Sequence, residues 1–337
     1  MKRAGNLFDI IAEPDNLRIA FWKASRGKSY KSDVISFQNN LECELKNMRE
    51  LLNSGSLDVG NYHYFKIYDP KERLICAASF PERVLHHAIM NVCDPYFERF
   101  QIYDSYATRR DKGTHKALDR ATILNKRNHY FLKLDINKFF NTIDHKILLN
   151  LLQSRFKDTR LLSMFEQIIY SYSTSKGRGL PIGNLTSQYF ANFYLAFLDH
   201  YIKEELQVKG YVRYMDDMIL WGKNRTEMKE YLLIIEKYLG EYLDLHLNKP
   251  VINKTGQGLS FLGYTLFKDH RKLNRRSKKR FIRKADIYRN NLINDIWTQE
   301  EYHEHIVPII EFVRKADTTS LRKIVFNKDI DYGLEPC

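Results

Sequence analysis

The sequence predicts an α+β fold built on an antiparallel sheet. Three observations lead there. Short apolar strands come in pairs joined by tight turns, at 62–77 and 211–222. Longer stretches between them repeat apolar residues three and four apart, the period of a helix. The resulting order, strand–helix–helix–hairpin–helix–strand, departs from the strict alternation of parallel βαβ sheets.

The first element is mainly helical, over 13–53. Phe37, Leu41, Leu45, Met48, Leu51 and Leu52 form its stripe, and Asn53-Ser54-Gly55-Ser56 ends it. Residues 62–67 and 73–77 read as a hairpin around Tyr68-Asp69-Pro70-Lys71. Residues 82–97 read as a helix interrupted at Asp94-Pro95. A strand is expected at 130–136, followed by a helix with Asp144 as N-cap and Ile147, Leu148, Leu151 and Leu152 on one face. A longer helix covers 184–206, capped by Asn184 or Thr186. Two strands, 211–215 and 218–222, meet at Asp216-Asp217. A helix at 226–242 and a strand at 259–266 complete the layout, and 275–327 reads as helices alone.

Composition bounds the function. With 337 residues, 44% hydrophobic and 28% charged, the chain is a folded protein with one large core or a few subdomains sharing it. No run approaches the roughly 20 apolar residues that span a bilayer, and no secretory signal is expected. Cys43, Cys76, Cys93 and Cys337 are too dispersed for a zinc cluster or disulfide framework, which points to a reducing cytoplasm. His86-His87, His303/His305 and His115 lack partner ligands at metal-binding spacing. The net charge is +13, and Lys268–Arg289 supplies +9 of it, eleven Lys/Arg against Asp269 and Asp286. Such a block suits a polyanion; the alternative is a solvated helix face.

Three aspartates stand apart. Asp135 ends the apolar strand Phe131-Leu132-Lys133-Leu134-Asp135-Ile136, and Asp216 and Asp217 occupy the tip of Tyr211-Val212-Arg213-Tyr214-Met215-Asp216-Asp217-Met218. Adjacent carboxylates between apolar strands repel one another unless a cation sits among them. Hard oxygen donors select Mg²⁺ or Mn²⁺. Two such ions about 3.5–4 Å apart would activate a 3′-hydroxyl and stabilise leaving pyrophosphate.

Tyr214-Met215-Asp216-Asp217 resembles the catalytic signature of reverse transcriptases. The segments 134–145 and Gly179-Leu180-Pro181-Ile182-Gly183-Asn184-Leu185-Thr186-Ser187-Gln188 resemble their first two palm motifs. Leu247-Asn248-Lys249 and Phe261-Leu262-Gly263-Tyr264 resemble the later palm and primer-grip motifs. Pro70-Lys71-Glu72-Arg73 and 105–115 resemble the fingers. The likeness keeps its order from about residue 13 to 266. Ile182-Gly183, the ending Ser187-Gln188 and Ser105-Tyr106-Ala107 resemble the enzymes of diversity-generating retroelements. Group II intron enzymes usually carry Gln-Gly and Ser-Pro in that motif, and retron enzymes favour Ala at the Met215 position.

The resemblance implies a right-hand polymerase with fingers, a palm bearing the antiparallel sheet and a helical thumb. The boundaries are 1–58 for an N-terminal helical extension, 59–266 for fingers and palm, and 267–337 for a basic thumb. It implies an RNA-directed DNA polymerase that uses two Mg²⁺ ions, or Mn²⁺, on template RNA, primer–template and dNTPs. The subclass adds error-prone copying for mutagenic retrohoming, a small basic oligomeric accessory protein, and a bacterial or phage-encoded, cytoplasmic setting with no membrane. A group II-like or defence-associated enzyme is the alternative. An inactive RNA-binding scaffold is a third reading, opposed by the presence of all three aspartates.

By the same resemblance Asp135 and Asp216 ligate both metals, the Ile136 carbonyl assists, and Asp217 is the more peripheral carboxylate. Arg73 grips the triphosphate, with a surface ion pair as its alternative, and Lys71 is a second candidate. Phe140 excludes a 2′-hydroxyl, or packs beside Phe139. Ile182, Gly183 and Gln188 belong to the nucleotide pocket. Lys249 protonates pyrophosphate, or is a solvated charge. Arg109 and Lys112 meet template phosphates. Phe261, Gly263 and Tyr264 place the primer end, and Arg275, Arg276, Lys278 and Lys279 meet nucleic acid. Ile182 stands where retroviral enzymes carry glutamine and offers no hydrogen bond. The expectation is relaxed accuracy at template adenines; the alternative is packing against Phe140 or Leu180.

Overall fold

A computed structural model of the chain describes residues 3–68 and 72–331, with side chains as far as Phe326. The chain opens with α1 (Phe8–Ile11), α2 (Pro14–Ser25), α3 (Ser32–Asn39) and α4 (Leu41–Ser54). The hairpin β1 (Tyr62–Ile67) and β2 (Arg73–Ala78) follows, then α5 (Phe80–Phe100) and α6 (Thr114–Arg127). Next come β3 (Tyr130–Asp135), α7 (Phe139–Thr142), α8 (His145–Gln153), α9 (Thr159–Tyr170) and α10 (Leu185–His200), which ends in a π turn over Tyr201–Glu205. The hairpin β4 (Gly210–Tyr214) and β5 (Asp217–Gly222) leads to α11 (Arg225–Tyr242) and β6 (Val251–Lys254). Three short strands, β7 (Leu259–Phe261), β8 (Tyr264–Leu266) and β9 (Arg271–Leu273), precede α12 (Arg275–Ile293), α13 (Gln299–Arg314) and α14 (Thr319–Asp331).

The central sheet has the order β4-β5-β3-β6, with every pair antiparallel. Side chains alternate across it. Leu132, Leu134, Met218 and Leu220 face a large core that α5, α8, α9 and α10 also enter, and each contributes about 1.5–3 kcal/mol of apolar burial. Phe131, Val212, Ile219 and Trp221 face a second cluster formed with α6 and β7–β8. The sheet is thus covered on both faces, which explains its nearly unbroken apolar strands. The helices α1–α4 join the first core through Ile11, Phe21, Phe37 and Leu52. A third cluster, around Phe281, Tyr302, Ile306 and Val313, unites α12–α14.

Local chemistry sets the ends. Asp144 caps α8 by accepting from the Ile147 amide at 3.0 Å, as expected. Thr298 and Glu301 close a reciprocal box at α13. Four expectations need correction. The helical stretch 13–53 is divided, first after Ser25, where Gly27 turns with φ 69°, and again at Asn40. Asp94-Pro95 does not interrupt α5. Cys93 and Phe97 on either side are buried, and that packing outweighs the roughly 3 kcal/mol cost of an interior proline. The single strand at 259–266 is a hairpin, because Leu262 and Gly263 take φ 48° and 91°. Neither proposed cap of α10 acts as one: the Asn184 side-chain oxygen, Oδ1, accepts from the Ala78 amide at 3.1 Å instead, and Thr186 Oγ1 is buried without a partner.

Candidate active site

Register brings the aspartates together. Asp135 is opposite Asp217 across β3 and β5, and Asp216 stands at the β4–β5 turn beside them. The turn is tight because Met215 adopts φ 54°, a left-handed conformation that non-glycine residues seldom take. The Asp135 and Asp217 carboxyls lie on the face of the second cluster, at the end of the sheet. Asn248 holds Asp135 twice: its side-chain amide donates to Oδ2 at 2.7 Å and its backbone N–H to the Asp135 carbonyl at 2.8 Å. Lys133, on the same face of β3, lies 3.3 Å from Asp217 Oδ2 and donates to the Ser260 carbonyl at 2.8 Å.

The electrostatics are those of crowded acids. Burial raises the Asp216 carboxyl above its ordinary range and Asp135 adds to this, while Arg73 and Arg213 pull it down. Asp217 is pushed up to about 6, first by burial, with Asp135 and Asp216 adding to it and Lys133 opposing. Its Oδ1 is buried with no hydrogen-bond partner. Among the described residues no three or more His, Cys, Asp or Glu side chains form a ready metal-binding group. The donor set still fits Mg²⁺ or Mn²⁺, which commonly take one or two carboxylates and complete their shell with water and substrate phosphates.

The β1–β2 hairpin is fastened to the Pro181–Asn184 loop. The Cys76 amide donates to the Ile182 carbonyl at 2.8 Å, next to the Ala78–Asn184 bond. Gly183, at φ 119°, lies so close to Ile75 that a Cβ would stand 2.9 Å from its Cγ2. The Ile182 side chain is half-buried. Arg73, exposed on β2, acts on Asp216 through the electrostatics above. Phe140 is half-buried, 5.8 Å from the Phe139 ring, and its carbonyl accepts from the Leu180 amide. Gln188 Oε1 accepts from the Thr108 hydroxyl at 3.4 Å. Ile136 is buried and its carbonyl lies 3.4 Å from the Asn248 amide nitrogen. Lys249 is exposed beside Asn248. Lys71 lies outside the described residues.

Two assignments are corrected. Arg109 is 7% exposed, and its guanidinium is spent on Glu98 and on the Ile102 and Ser105 carbonyls, so it braces the 98–109 segment rather than meeting template. Phe261 and Tyr264 are fully buried; their rings pack in the second cluster and leave only the turn at Leu262-Gly263 to approach a primer. Lys112 is half-buried, donates to the Tyr103 carbonyl at 2.9 Å and sits 3.5 Å from the centroid of the Tyr103 ring. Arg275, Arg276, Lys278 and Lys279 are exposed on the first turns of α12.

Sequence reasoning gave no role to Asn248, Lys133 or Arg213. Each carried a signal: Asn248 lies inside a recognised motif, and Lys133 and Arg213 are charges inside otherwise apolar strands. Two of the histidines are engaged in packing. His86 is buried beside Glu82 at 3.5 Å, and burial lowers its pKa to about 3. His305 stacks on Trp297.

The likeness to known proteins agrees with this geometry. The putative COX1/OXI3 intron 2 protein of Saccharomyces cerevisiae is 21% identical over 330 residues, covering 76% of this chain and 38% of that protein. Protein YkfC of Escherichia coli is 23% identical over 287 residues, covering 68% of this chain and 73% of YkfC. The chain therefore spans well under half of the intron protein and about three quarters of YkfC. Apo telomerase from Candida tropicalis shares the fold, with a TM-score of 0.53 at 13% identity over 86% of this chain and 64% of that one. The family described as reverse transcriptase (RNA-dependent DNA polymerase) matches residues 68–266, more than half of the chain. On that match, the chain belongs to the reverse transcriptase family.

Proposed function

We propose that the chain is an active RNA-directed DNA polymerase, copying template RNA into cDNA from dNTPs. The observation that carries the reading is the register of Asp135 against Asp217 with Asp216 at the adjoining turn. Asp135 and Asp216 would hold Mg²⁺, with Asp217 peripheral because Lys133 already engages it. The bound metal would supply activation of the primer 3′-hydroxyl and stabilisation of the leaving pyrophosphate. Asn248 orients Asp135, Arg73 grips the triphosphate, Phe140 excludes a 2′-hydroxyl, and Lys249 donates a proton to pyrophosphate. The basic first turns of α12 crowd cations at the positive end of a helix, an arrangement that nucleic-acid phosphates relieve.

On this reading 1–58 is a helical extension, 59–266 fingers and palm, and 267–337 a thumb. The Ile182-Gly183 loop and the Ser187-Gln188 ending favour the retroelement subclass, with error-prone copying and a small basic accessory protein in a cytoplasmic, bacterial or phage-encoded setting. No helix of the described residues is long and apolar enough to cross a membrane. Asp216→Asn tests the reading: primer extension is expected to vanish while filter binding of primer–template RNA persists. Extension near the wild-type level would overturn it.

A further inference from the structure

The face of the central sheet turned away from Asp135 carries a fully buried cation. Arg213 in β4 lies opposite Met218 in β5, and its side chain is 0% exposed. Its Nε donates to both Asp199 carboxylate oxygens, at 2.8 and 2.9 Å. One terminal nitrogen donates to Asp199 Oδ2 at 2.5 Å and reaches Gln101 Oε1 and the Asn192 carbonyl, both at 3.2 Å. The other donates to Asn192 Oδ1 at 2.6 Å and to the Met215 carbonyl at 3.2 Å. Asp199 also accepts from the Tyr211 hydroxyl at 2.7 Å. The five N–H directions of the guanidinium are accounted for.

A buried ion pair is a weak route to stability, since desolvation offsets most of the attraction, and apolar residues of similar volume often serve as well. What an apolar pair cannot do is bond the turn. Met215 holds a left-handed backbone next to Asp216, and its carbonyl is one of the atoms that Arg213 engages. Asn192 and Asp199 belong to α10, and Gln101 follows α5 directly. The guanidinium therefore ties a strained turn to two helices of the main core.

We propose that Arg213 is a positioning residue for nucleotidyl transfer: anchored by Asp199, Asn192 and Gln101, it fixes the Met215 carbonyl and thereby the direction in which Asp216 enters the cleft. The inference rests on the polymerase reading above. Arg213 faces away from the cleft, so it acts on turnover and metal use, not on the grip of nucleic acid. Lysine keeps the charge but has a single nitrogen, and it cannot hold Asp199 and Met215 at once.

The test compares wild type, Asp216→Asn, Arg213→Lys and the charge-free double variant Arg213→Met/Asp199→Leu on one primer–template. Wild-type extension that does not depend on Asp216 would overturn the polymerase reading and this inference with it. Otherwise both Arg213 variants are expected to melt cooperatively and to bind primer–template within about twofold of wild type, with KM for dNTP within about threefold. Both should lose on the order of tenfold or more in kcat and need several-fold more Mg²⁺ for half-maximal rate. A folded double variant with wild-type kcat and Mg²⁺ requirement overturns the inference and leaves the polymerase reading standing. Failure of both variants to fold would make the pair structural and overturn it as well.

Discussion

Replacing Asp217 with asparagine is expected to stabilise the metal-free protein at alkaline pH. Burial is the main reason its carboxyl rises from an ordinary 3.8 to about 6, Asp135 and Asp216 contribute, and Lys133 opposes. The folded state therefore holds this proton more tightly than the unfolded chain. Its contribution is fully favourable below 3.8 and is lost as pH rises through about 6. A gap of that size corresponds to on the order of 3 kcal/mol once the group is ionised. Asparagine removes that penalty, and the attraction of Lys133 is already contained in the shifted value. The expected net gain is about 3 kcal/mol at pH 8 and close to zero near pH 4. Urea unfolding of both proteins in EDTA, at pH 4, 6 and 8, measures it. Added Mg²⁺ should then narrow the difference by stabilising the wild type more. A variant less stable than wild type at pH 8 in EDTA, or a difference that ignores pH, would refute the reasoning.

Arg109→Ala is expected to cost about 2–4 kcal/mol in stability, because it leaves Glu98 and two carbonyls without their donor. The salt dependence of RNA binding should not change; a slope reduced by about one would restore the template role. Gly183→Ala places a methyl against Ile75 in a left-handed backbone, costs about 1–3 kcal/mol and, by displacing the strand that bears Arg73, should raise KM for dNTP in steady-state extension. Ile182→Gln should lower misincorporation opposite template adenine, by roughly tenfold for a restraint of about 1.4 kcal/mol, with a smaller change in rate. Sequenced cDNA reads this out, and an unchanged spectrum at adenines returns Ile182 to simple packing.

Much of the centre was legible because its signals are local. An apolar strand ending in Asp135 and a turn carrying Asp216-Asp217 state their positions in consecutive residues, and the antiparallel pairing of β4 with β5 follows from their short connection; the pairing of β3 with β5 is long-range. What stayed hidden depends on contacts distant in sequence. Asn184 looks like a cap, yet its side chain bonds Ala78, 106 residues away. Arg109 looks like a phosphate ligand because its partner Glu98 lies on another element. Phe261 and Tyr264 belong to a loop motif, but the left-handed pair Leu262-Gly263 folds that segment so that both rings turn inward. The helix α9 carries no chemical motif and shows itself only through the helical spacing of Leu161, Met164, Phe165, Ile168 and Ile169.

The β7–β8 turn is interlocked with the C-terminal helices. The Tyr264 hydroxyl donates to the Phe312 carbonyl at 2.5 Å, Gly263 rests against the Phe312 ring, and the Asn274 amide returns to the Gly263 carbonyl at 3.1 Å. Leu273 and Phe312 pack into both the second and third clusters. These helices are consequently not a detachable clamp. A chain cut after Phe267 would not act as a shorter enzyme with a weaker hold. It would expose the back of its own β7–β8 turn, and the loss would register first as disorder beside Lys133 and Ser260, at the edge of the acidic cleft.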